Sequence, residues 1–125
     1  MVENGLRKAQ LFIQAAELCH QSGYYDSAAS RCYYAVYRAA IAALQANGYS
    51  RESWNHGTLQ RLFTQKLISE KGEYPDRFAE YLKVCYDLRV DADYEDELVT
   101  EEESKLVLNF AKEFVEAIQE VLNRG

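Results

Sequence analysis

Residues Tyr24–Ala46 restrict this chain more than any other segment does. They contain eight alanines, and alanine is the strongest helix former because its side chain loses no rotamer entropy. Ala29, Cys32, Val36, Ala40 and Ala43 recur at steps of three and four, forming one stripe of small side chains. Small side chains let neighbouring helices approach closely, so this helix is predicted to run through the centre of a bundle. Asn47-Gly48 then supplies a left-handed stop.

The remaining segments read as helices around it. Leu6, Ala9, Ile13, Ala16 and His20 mark one face of a first helix over Glu3–His20, which Ser22-Gly23 interrupts. A third, shorter helix opens near Ser53–Asn55, carries Leu59, Leu62, Phe63 and Leu67, and ends before Lys71-Gly72. Pro75 suits the first turn of a fourth, whose face of Phe78, Leu82, Cys85 and Arg89 leads towards Ala92. Thr100 and Glu103 form a capping box before a fifth, striped by Leu106, Phe110, Phe114, Ala117 and Val121. No stretch alternates cleanly enough to be a strand. The expected fold is all-α: one domain of residues 1–125, an antiparallel helical bundle of about five helices.

Composition narrows the function classes. The longest apolar run, Ala39–Leu44, is six residues, far short of the ~20 that cross a bilayer. The first residues carry no basic flank leading into a signal-peptide core. Cys19, Cys32 and Cys85 are odd in number and lack CxxC spacing, which argues against a disulfide framework or a zinc site and for reduced thiols in a cytoplasm. No metal or cofactor is implied. The net charge of −6 is divided unevenly: residues 1–71 hold eight Lys/Arg against five acids, and residues 72–125 hold six against fifteen. Such a chain is a poor non-specific coat for nucleic acid, because that binding comes from neutralising phosphates. A basic face confined to the first half is compatible with it.

Several residues stand out against this background. Arg89 occupies a position on the fourth helix where the stripe calls for an apolar residue, and Asp93 lies four residues on, on the same face. On an ordinary helix this would be an ion pair with the arginine stem packed over apolar surface. In a groove, the guanidinium fork suits a phosphate. Tyr86 and Tyr94 lie nearby in sequence. Ser30-Arg31-Cys32-Tyr33-Tyr34 on the second helix places two tyrosines about 100° apart, so one can enter the core while the other faces a groove. Such tyrosines serve equally as packing or as a stacking wall for a nucleotide. His56 falls at the start of the third helix; it has no HxxxH partner, and neither has His20, so both default to structural roles. The acids from Asp91 to Glu97 lack the glycine of a calcium loop, since Asp96 stands there.

Taken together, Gly23-Tyr24, Ser30-Arg31-x-Tyr33-Tyr34-Ala35, His56 with Leu62-Phe63, and Leu88-Arg89-xxx-Asp93-Tyr94 resemble the HEPN domain family from about Leu6 to Val121. The resemblance implies a bundle that dimerises around a cleft at the two-fold axis. It also implies a ribonuclease, often a toxin, encoded beside a small nucleotidyltransferase that neutralises it. The family's catalytic signature is an arginine followed, after four to six intervening residues, by a histidine. Arg89 matches the arginine, but Tyr94, Glu95 and Asp96 stand at the histidine positions, and the chain follows a branch ending in Arg-xxx-Asp-Tyr. A neutral imidazole can both take and give a proton near neutral pH, whereas an ionised carboxylate only takes one. Three readings follow. The leading one is a nucleotide- or RNA-binding domain with a degenerate ribonuclease motif, working with a nucleotidyltransferase partner in a toxin–antitoxin-type pair. Its site would comprise Arg89, Asp93 and His56, walled by Ser30, Arg31, Tyr33, Tyr34 and Tyr94. The second is an active metal-independent endoribonuclease, and the third a structural dimer or adaptor without ligand.

Overall fold

A computed structural model describes residues 2–124. Five α-helices account for most of it: α1 (Val2–Gln21), α2 (Tyr25–Ala46), α3 (His56–Leu62), α4 (Arg77–Tyr94) and α5 (Glu101–Arg124). Beyond Leu62 the third helix continues over Phe63–Glu70 in the wider π winding, exemplified by Lys71 N–H donating to the Lys66 carbonyl at 3.1 Å. The fold is an all-α bundle without a strand among the described residues.

The alanine helix sits where its stripe predicts. Ala29, Cys32, Val36, Ala40 and Ala43 have no exposed surface, and α2 packs against α1, α3, α4 and α5. Gly5 on α1 contributes to the close approach: a Cβ there would lie 3.6 Å from Ala42 Cβ. At the far end Gly48, at φ +91°, turns the chain out of α2 in a conformation that suits glycine. The aromatic part of the core is the group Phe63, Phe78 and Phe114, whose ring centroids are 4.9–5.3 Å apart where they touch Phe114.

Three expectations shift. The fourth helix begins at Arg77, because Pro75 and Asp76 are spent on a turn in which their carbonyls accept from Phe78 and Ala79. The buried side of α5 is Ser104, Val107, Leu108, Ala111, Phe114, Val115 and Ile118. Of the expected stripe only Phe114 is fully buried; Leu106 is exposed and Phe110 lies at the edge, stacked 4.1 Å from Tyr81. On α4, Leu88 takes the buried place that follows Cys85 in the stripe, and Arg89 is turned to the margin of the core. The capping box forms reciprocally: Thr100 N–H donates to Glu103 Oε1 (3.0 Å) and Glu103 N–H to Thr100 Oγ1 (3.1 Å).

Candidate functional site: an arginine cradled by tyrosines

Helices α2 and α4 run antiparallel, so Ser30 faces Asp93 and Tyr34 faces Arg89. Ser30 Oγ donates to Asp93 Oδ1 at 2.6 Å, and Arg89 Nη2 donates to the Tyr34 hydroxyl at 3.0 Å. The guanidinium carbon lies 5.5–5.8 Å from the ring centres of Tyr33, Tyr34 and Tyr94, within reach of cation–π attraction. Arg89 Nε stands 3.1 Å from Asp93 Oδ2. The N–H is not aligned on that oxygen, so Nε is buried without a hydrogen bond while the two charges still pair. The Arg89 side chain is 20% exposed and that of Asp93 34%: the fork sits in a recess with its Nε edge against the carboxylate.

The two adjacent tyrosines divide as their 100° offset requires. Tyr33 is 4% exposed and Tyr34 half-buried. Burial chiefly, with Arg89 opposing, raises the Tyr33 pKa, so its phenol stays protonated. Its oxygen lies 3.4 Å from His56 Nδ1, the far end of hydrogen-bond range. His56 stacks on Tyr86 at 3.8 Å and 9°, and Tyr86 meets the Tyr33 ring edge-on at 5.4 Å. Burial lowers the His56 pKa, with Asp87 opposing, which favours the neutral imidazole. The entry to α3 holds His56 in place: Tyr37 donates to the Trp54 carbonyl at 2.7 Å, and Asn55 caps the helix through Thr58 N–H at 2.8 Å.

Arg89, Asp93, Ser30, Tyr33, Tyr34 and Tyr94 thus form one cluster, and His56 joins it through the Tyr33 ring. Arg31 does not join. One residue beyond Ser30, it is turned about 100° away; Nη1 donates to the Ser27 carbonyl at 3.3 Å, and the side chain lines a groove between α1 and α2. Sequence reasoning missed Phe12, which packs from α1 on Tyr34 at 5.7 Å; Tyr37, on the tyrosine-rich second helix, anchors the α3 entry. The signal for Phe12 was available in the antiparallel pairing of two helices joined by a tight turn. His20 Nδ1 lies 2.8 Å from the Oγ of the fully buried Ser104. Burial pushes the Cys32 thiol up to about 12 and Cys85 well above its ordinary value, so both are poor nucleophiles. No helix among the described residues is long and apolar enough to cross a membrane.

The fold is a small all-α bundle that holds Arg89 against a tyrosine wall at the end of its fourth helix. The profile of the HEPN domain matches residues 2–121, and the chain belongs to that family. A "UPF0332 protein" of Archaeoglobus fulgidus is 31% identical over 129 aligned positions, spanning 99% of this chain and 97% of that protein. Two proteins of Methanocaldococcus jannaschii are each 27% identical. "Putative toxin MJ0605" is matched over 88% of this chain and 80% of its own length, and "Putative toxin MJ0142" over 86% and 72%. The chain is therefore a HEPN domain related to proteins named as toxins.

Proposed function

We propose that the cleft around Arg89 binds a phosphate of RNA or of a nucleotide. The chain would act as a homodimer with a nucleotidyltransferase partner in a toxin–antitoxin-type pair. The observation that carries this reading is the Arg89 fork, one-fifth exposed in a recess, charge-paired with Asp93 through Nε and with three tyrosine rings around it. Nε is buried against Asp93, so a phosphate would meet the Nη side of the fork, whose planar donors suit its oxygens. The rings add stacking faces for a base beside the phosphate ligand. Asp93, held by Ser30, orients the guanidinium; an ionised carboxylate can accept a proton but not return one. Titration of AMP and of a labelled single-stranded RNA into wild type and Arg89→Met tests this. The variant should bind both at least tenfold more weakly, the loss expected when charge-assisted hydrogen bonds worth about 1.5–3 kcal/mol disappear.

One observation favours an endoribonuclease instead: His56 shares the Tyr33 ring with Arg89, and burial keeps it neutral. A neutral imidazole and a phosphate-binding arginine are the pair of groups that metal-free RNA cleavage uses. The preferred reading predicts weak or absent cleavage of unstructured RNA by the isolated protein. Robust metal-free cleavage that both Arg89→Ala and His56→Ala abolish would replace it with the enzymatic one.

A further inference from the structure

We propose that the groove between α1 and α2 is a second binding site, a track for the backbone of a single-stranded polynucleotide running away from the Arg89 cleft. Lys8, Leu11, Phe12, Ala15, Arg31 and Arg38 line a groove of about 300 Å³. A second groove of about 320 Å³ continues it past Lys8 and Arg38 to Ile41 and Gln45. No carboxylate lines either one. Among the described residues Lys8, Arg31 and Arg38 form no ion pair, although acids outnumber bases in the chain by six. Arg31, Arg38, Ile41 and Gln45 lie on one side of α2, and fourteen residue steps of helix cover about 21 Å. That is longer than a mononucleotide.

The strip is continuous with the arginine cleft. Phe12 forms part of the groove and touches Tyr34 at 5.7 Å; Tyr34 in turn accepts from Arg89. A row of cations over an apolar floor with an aromatic ring, Phe12, where it meets the cleft is an arrangement that holds a single strand without reading its sequence: phosphates meet the cations and a base can lie on the ring. The inference rests on the Arg89 reading for its direction, since the strand is taken to enter from that cleft, and it converts the ligand class from nucleotide to polynucleotide. It also explains how a net-negative chain can hold RNA: the first half carries the excess of bases, and the cations of this strip belong to it.

The test is binding of a labelled twelve-nucleotide polyuridine and of AMP across a salt series, with wild type, Lys8→Gln/Arg38→Gln, and Arg89→Met. Lys8 and Arg38 lie at the surface of the bundle, and melting curves check that each variant folds. The groove variant should bind the oligonucleotide about tenfold more weakly at low salt while binding AMP as wild type does. Its slope of log affinity against log salt should fall by about 1.4, or 0.7 for each cation removed from a single strand. Arg89→Met should weaken both ligands. Wild-type affinity and slope in the groove variant overturn the track. Loss of AMP binding in that variant overturns it as a separate site. If Arg89→Met is silent while the groove variant loses the oligonucleotide, the track stands and the arginine reading falls. An oligonucleotide that wild type does not bind removes the track, whatever AMP does. A groove variant that alters sedimenting mass without altering the salt slope assigns the groove to a protein contact and also overturns the proposal.

Discussion

At the scale of single residues, His56 offers a prediction with a definite sign. Burial lowers its pKa in the fold below the ordinary 6.5, with Asp87 opposing. The unfolded chain therefore binds this proton more readily than the native one. At high pH the residue is neutral in both states and contributes nothing; as pH falls through 6.5 towards the lower native value, stability is lost. Thermal melts from about pH 7.5 to 5.5 should show a decline in wild type that is smaller in His56→Gln. An equal decline in both would place the titration elsewhere. How much of the cleft the sequence disclosed is also a residue-scale matter. Arg89 betrayed itself as a cation on an apolar stripe, and Asp93 and Tyr94 followed by spacing. The Tyr33–Tyr34 division followed from the helix period alone. The stack of His56 on Tyr86 was not legible, because it joins α3 to α4 through the angle of a loop whose geometry Tyr37 sets at the Trp54 carbonyl.

At the scale of elements, local signals succeeded where the physics is local. The capping box needs only Thr100, Glu103 and their own backbone, and it forms as written. Thr100→Ala should cost about 0.5–2 kcal/mol by removing the acceptor of the Glu103 N–H. Urea unfolding of the variant measures this, and an unchanged midpoint would show that Glu103 alone satisfies the helix start. Signals that depend on a partner did worse. The α5 sequence offers two overlapping apolar faces; the one with Val107, Leu108, Ala111 and Phe114 is buried, and Phe110 lies at the edge, stacked on Tyr81. The π winding over Phe63–Glu70, which buries Phe63, Leu67 and Ile68, left no mark in the sequence. The central helix was read correctly because a stripe of alanines admits few environments other than close helix contact.

At the scale of the whole molecule, the HEPN fold and the toxin-named relatives set the frame, while the dimer, partner and ligand belong to the proposal. A homodimer should sediment at micromolar concentration with twice the 14.4 kDa chain mass, and a clean monomer would remove a composite cleft from the account. The central claim is that this bundle keeps Arg89 for a ligand and not for its own stability. Asp93 is partly open to solvent and keeps the Ser30 hydrogen bond when the arginine is gone, so its charge is not stranded. The ion pair itself, partly exposed and at i,i+4 spacing, is worth about 0.2–0.5 kcal/mol. Thermal melts and RNA titrations of wild type, Arg89→Met and Arg89→Met/Asp93→Leu give the most direct measurement. The account predicts that Arg89→Met melts within a few degrees of wild type and loses RNA binding, and that the second substitution restores none of it. An Arg89→Met protein that unfolds easily and is rescued by Asp93→Leu would contradict the account and make Arg89 a structural residue.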